Sequence, residues 1–211
     1  MNLAPELLPR TSNALAAAVL TALALWAGAA VATQNLQFVA DGIPAANAGA
    51  PPTTAAFEAW CSARCFPTTR FVVHEPSSGQ PLGTASVWGR DFVFGAGGSL
   101  CFSEFIVFTL AQGELHVASG LNGTCGAPID PVLKAPRYPE RGALVVIAGG
   151  GDGVIAGGTG KYRNWTGTFS DRVFVGFGAP TSGIGGIVYY DQLWFSISGN
   201  ERPMPLNPRS P

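Results

Sequence analysis

The chain has 211 residues, 47% hydrophobic and 12% charged, with 12 Lys and Arg against 13 Asp and Glu and a formal net charge of -1. No basic face follows from that balance, so nucleic acid is excluded as an expected partner, and two histidines are too few for a His-rich metal site. The 28 glycines and 17 prolines mark a turn-rich β protein long enough for one domain with a full core.

The N-terminus carries Arg10 and then an uncharged Ala- and Leu-rich run over 14–32 that closes on Ala30-Val31-Ala32. This reads as a signal peptide cleaved after Ala32, or as a hydrophobic helix retained as a membrane anchor through residues 14–32. In both cases the positive-inside rule keeps the N-terminus cytoplasmic and places the body outside the cytoplasm, secreted or periplasmic. Residues 33–56 read as a flexible linker, because 41–56 are small, polar and Pro-bearing, and 200–211 as a disordered tail. The folded unit is then 57–199.

Within it, strands are expected over 69–74, 83–94, 101–110, 114–119, 143–147, 154–156, 162–175 and 186–197, with no convincing amphipathic helix. Their spacing near ten residues, with Gly or Pro at most junctions, argues a sandwich or an up-and-down barrel. The segment from Phe102 to Phe108 is apolar on both faces in part, which fits a closed barrel packed inside and partly covered outside. If Gln112-Gly113 turns a hairpin, residues whose numbers sum to about 225 face each other, which brings Cys101 close to Cys125 and leaves Cys61 to pair with Cys65. An even cysteine count suits an oxidising compartment. Zinc is the weaker reading, since C-x3-C with two distant single cysteines lacks paired C-x2-C spacing.

Two glycine lookalikes fail on context. Gly151, Gly153 and Ala156 fit G-x-G-x-x-A, yet a β-patterned segment follows where a dinucleotide site needs a helix. Gly160-Lys161 is followed by Tyr162 rather than Ser or Thr, so the phosphate-loop spacing is absent. The glycines Gly157, Gly158 and Gly160 instead suit a tight corner with positive φ. Beyond it, Tyr162, Asn164, Thr166, Thr168 and Ser170 fall on one side of an extended chain, and Arg163, Trp165, Phe169 and Asp171 on the other. At most one of Tyr162 and Asp171 then points inward.

The same stretch, Val154-Ile-Ala-Gly-Gly-Thr-Gly-Lys-Tyr-Arg-Asn-Trp-Thr-Gly167, resembles the GGTG-K-[FY]-x-x-A-x-G signature of dirigent proteins and allene oxide cyclase-like barrels. Trp165 stands where that family usually has Ala. Pro81 to Gly89, Phe102 to Thr109 and Gly113 to Gly120 look like its second, third and fourth strands, so the resemblance covers roughly 70–175. It implies an all-β fold, an eight-stranded antiparallel barrel, often oligomeric, with an open end that admits an apolar organic ligand. The chemistry varies across the family, from isomerisation and cyclisation to steering a coupling reaction without catalysing it, and fold alone does not choose.

The sequence reads first as an exported, non-catalytic binding or scaffold module for an apolar small molecule or a protein, with a cofactor-independent cyclase or isomerase and a membrane-anchored accessory subunit of a membrane complex as the alternatives. A homo-oligomer is compatible with each, and no cofactor is expected. An enzyme of this kind needs an acid inside an apolar cavity. Glu104 and Asp171 are the catalytic candidates, Glu104 because it interrupts the apolar strand face of Phe102, Ile106 and Phe108. Phe102, Ile106, Phe108, Tyr162 and Trp194 are the ligand-lining candidates. Glu114 and His116 share a face that reads as solvated, and His74-Glu75 reads as a loop because Pro76 ends the strand.

Overall fold

The computed structural model describes residues 33–42, 50–62, 64–129, 145–177 and 187–201. These contain eight strands: β1 (Gln34–Gly42), β2 (Phe66–His74), β3 (Pro81–Phe94), β4 (Leu100–Leu110), β5 (Gly113–Ile129), β6 (Val145–Gly158), β7 (Trp165–Phe177) and β8 (Ile187–Glu201). Each pairs antiparallel with its neighbour in sequence, and β1 pairs with β8 to close the ring. All-β architecture and antiparallel closure are as expected from the sequence.

Three expectations about where elements begin and end are corrected. Residues 33–56 are not all linker, because β1 supplies the closing strand with Phe38 and Ala40 buried on its inner side, opposite Phe195 and Leu193 of β8. The weaker alternation of this strand is overshadowed in sequence by the Pro- and Ala-rich stretch after it. The segments 143–147 and 154–156 are not separate strands: β6 runs from Val145 through Gly149-Gly150-Gly151 because β5 and β7 pair with it on both sides, a tertiary effect that glycine's low strand propensity hides. Strand β8 continues through Asn200 and Glu201, so these two residues are not tail. Residues 1–32 and 202–211, expected as leader or anchor and as tail, lie outside the described residues. Among those described, no helix is long and apolar enough to cross a membrane.

A short helix, α1 (Ala55–Trp60), was not expected. Thr54 caps it, its hydroxyl accepting from the Phe57 N–H at 3.3 Å. Six residues do not hold a helix in water, and packing supplies the difference. Phe57 and Trp60 bury against Trp88, Phe105 and Val107, which point out of the ring, and the Cys61–Cys65 disulfide comes directly after the helix. The outward apolar face of β4 is covered in this way. His116 lies on the same outer side, buried against Phe105 while Glu114 meets its Nε2 at 3.2 Å, so the pair is external but its imidazole is not solvated.

Inside, the ring is packed by Phe38, Phe108, Leu115, Tyr162, Trp165, Phe195 and Ile197 among others. The β6–β7 corner closes this end. Gly160 to Tyr162 form one turn of 3-10 helix rather than the start of a strand, and that turn breaks the two-residue alternation. Tyr162 and Asp171 therefore both face inward, contrary to the expectation that one of them would not. Tyr162 packs edge-on against Trp165 at 5.1 Å, and the bulk of Trp165 is accepted because Gly199 lies against its ring. Gly157 and Gly160 take positive φ, 140° and 54°, whereas Gly158 does not. A Cβ on Gly160 would also run into the Gln112 carbonyl oxygen. Gly160→Val is expected to lower stability by about 2–4 kcal/mol, read as a fall of the melting temperature, and an unchanged melting curve would refute the role given to this corner.

Candidate functional site

The other end of the ring is hollow. A cavity of about 550 Å³ lies between the start of β2, the end of β3, the start of β4, the end of β5, the start of β6 and the end of β7. Most of its wall is apolar, with Phe71, Phe92, Phe102, Ile106 and Val175 among the lining side chains. Two carboxyls, Glu104 and Asp171, lie in it as well, each buried.

Their positions follow from strand parity and from missing side chains. On β4 the even residues face in, so Glu104 shares its face with Phe102, Ile106 and Phe108. On β7 the inward residues are Trp165, Phe169 and Asp171. The strands between β4 and β7 would ordinarily fill the space with side chains, but β6 presents Gly149, Gly150 and Gly151. A Cβ on Gly151 would collide with the Thr124 hydroxyl, and that hydroxyl donates to Glu104 Oε1 at 2.8 Å. Bare backbone thus leaves room for the carboxyls to reach each other, and they share a hydrogen bond.

A bulge aims Glu104. The β4–β5 register, close to the expected numerical sum, shifts between Phe102 and Phe105, where β5 carries extra residues. Ser119 Oγ accepts from the Glu104 N–H at 2.8 Å, and Ser103 Oγ accepts from the Asn122 N–H at 3.1 Å. Past the bulge Cys101 faces Cys125, and the two form the second disulfide as the hairpin reading required. With all four cysteines oxidised, the zinc alternative has lost its thiolates. The two disulfides are consistent with an extracellular location.

Electrostatics divide the pair. Burial pushes the Glu104 carboxyl well above its ordinary range, and the negative charge of Asp171 pushes it further. Burial also raises Asp171, to about 6, while the Gly151 N–H and the bond from Glu104 hold it down. The bond they share raises Glu104 and lowers Asp171, so Glu104 is the member of the pair that holds a proton more tightly. Asp171 Oδ1 is buried, with no hydrogen-bonding N–H or hydroxyl among the described residues.

Of the ligand-lining candidates, Phe102 and Ile106 line the cavity. Phe108 and Tyr162 sit in the packed end, and Trp194 faces outward at 41% exposure, because β8 alternates with Phe195 and Ile197 inside. These three are therefore not at the cavity. Glu75 caps the β2–β3 turn through Ser77 and Ser78, the loop role expected of it. Sequence reasoning missed Thr124, Thr69 and the glycine triplet. The hairpin sum already set Thr124 near Phe102, which is the signal that could have found it.

No family model matches the chain, and no curated protein matches it. A solved structure of a pterocarpan synthase dirigent protein is similar, at 14% identity and a TM-score of 0.35, over 86% of this chain and 92% of that one. The likeness assigns no chemistry to the cavity.

Both carboxyls have folded pKa values above their unfolded ones, so the folded state binds more protons and stability falls as pH rises. For Asp171 the fall runs from about pH 4 to about pH 6, and Glu104 extends it upward. Glu104→Gln keeps the size and the hydrogen bonds while removing the charge. It is expected to match the parent near pH 4 and to be more stable by about 1–3 kcal/mol at pH 7.5, measured as denaturation midpoints across pH. Equal midpoints at both pH values would contradict the buried, proton-sharing arrangement.

Proposed function

We propose that the cavity binds an apolar small molecule bearing an oxygen function and that Glu104 acts on it as a general acid, in a cofactor-independent cyclisation or isomerisation. The observation that carries this reading is the pair of buried carboxyls, Glu104 and Asp171, in an otherwise mostly apolar cavity wall. Burying two carboxyls in an apolar wall lowers stability, and a packed barrel is better served by two leucines. A proton held at a raised pKa inside a water-poor, shaped cavity is what acid catalysis requires.

The step is redox-neutral. Glu104 gives its proton to a substrate oxygen as that oxygen's bond to carbon breaks, ionised Asp171 takes the proton lost from substrate carbon or hydroxyl as the new bond forms, and the pair again holds one proton. Substrate and product have the same composition. Phe102, Ile106 and the neighbouring aromatic rings contribute by fixing the conformer that reacts.

The runner-up is a non-catalytic binding module, favoured by the mostly apolar wall and needing no proton transfer. The two separate in one experiment. Neutral aryl epoxides carrying a free hydroxyl are incubated with the protein, and ring-closed or rearranged products are resolved by chiral chromatography. The expected result is acceleration that Glu104→Gln reduces about 10²- to 10⁴-fold and that declines toward alkaline pH as Glu104 loses its proton. Bound epoxide with no product, the same in parent and Glu104→Gln, would reject catalysis and leave the binding module.

A further inference from the structure

Thr69 is an anomaly of the cavity wall. It lies on the inner side of β2 with Phe71 and Val73, is 2% exposed, and its Oγ1 has no hydrogen-bond partner among the described residues. Its neighbour Thr68 shows that the strand offers acceptors, since the Thr68 hydroxyl donates to the Val87 carbonyl at 3.0 Å. A threonine buried without a partner destabilises relative to valine of the same shape. Thr69 and Asp171 both line this cavity, Thr69 from β2 and separated from Asp171 on β7 by β1 and β8, and each carries a buried oxygen without a partner among the described residues.

We propose that Thr69 is a second polar anchor of this site, and that the ligand is an uncharged molecule with two oxygen functions, one engaging the Glu104–Asp171 pair and the other the Thr69 hydroxyl. This rests on the cavity being the ligand site, as the proposed function has it. Charge excludes anionic ligands, because the described lining residues include two carboxyls and no Lys, Arg or His. The wall favours a flat body: Gly126, Gly149 and Gly150 expose bare backbone on β5 and β6, and across the ring Phe71 and Phe195 lie nearly parallel, 17° apart with centroids at 5.9 Å. A ring system fits such a slot, and a hydroxyl at each end meets an oxygen that has no other partner among the described residues. Thr69 is then a positioning residue that sets which end of the ligand faces the acid.

The test uses the full protein at pH 7 with naphthalene, 2-naphthol and the isomeric naphthalenediols, binding being measured by calorimetry. At least one diol is expected to bind about tenfold tighter than 2-naphthol, the worth of one hydrogen bond. That gain disappears in Thr69→Val and returns in Thr69→Ser, while Thr69→Val melts no lower than the parent. A diol preference that survives in Thr69→Val overturns the proposal. These probes undergo no reaction, so loss of the catalytic reading in the Glu104→Gln comparison would leave this result standing.

Discussion

Closure of the ring by β1 against β8 is the constraint on which the rest depends. An open eight-stranded sheet would leave two rows of unpaired backbone groups and would have no inside. Pairing from Gln34 with Gly199 to Ala40 with Leu193 joins β1 to β8, and Val39 opposite His74 joins it to β2, which turns strand alternation into a division between interior and exterior. Once that division exists, every second side chain competes for a fixed internal volume. Large residues settle at one end, where Phe108, Tyr162, Trp165 and Ile197 fill the ring, and glycine at inward positions of β6 keeps the other end hollow.

The site is a product of that unequal filling. Glu104 and Asp171 are not neighbours along the sheet, and they meet through the interior because the intervening strands offer Thr124 and Gly151 in place of bulk. The same strand that carries Glu104 inward carries Phe105 and Val107 outward beneath α1. β4 is thus held between two apolar layers, and its single inward charge is positioned by packing on both sides and by the Ser119 hydroxyl at the bulge. A buried acid in such a place gains its unusual proton affinity from surroundings that have little freedom to relax around it.

Much of this was legible in sequence. Period-two alternation gave most strands, hairpin arithmetic gave the Cys101–Cys125 pairing, and the lone Glu104 within an apolar face stood out as an internal acid. What stayed hidden was non-local. The alternation rule failed at Tyr162 because one helical turn shifts parity, and β6 looked like two strands because its glycines have no propensity of their own. The meeting of Glu104 with Asp171 depends on the curvature of a closed ring, and no spacing along the chain encodes it. The α1 cover escaped notice because six residues are too few to show a helical period; their fold comes from Phe57 and Trp60 finding the outer face of β3 and β4.

The packed end has a kinetic meaning. With Phe38, Phe108, Tyr162 and Trp165 filling one end of the ring, the described residues close the cavity at that end and make it a blind sac rather than a tunnel. Whatever enters must leave by the way it came, and no second molecule can enter until it does. Exchange of one ligand for another is then limited by departure of the first, and competing ligands contend for the same space.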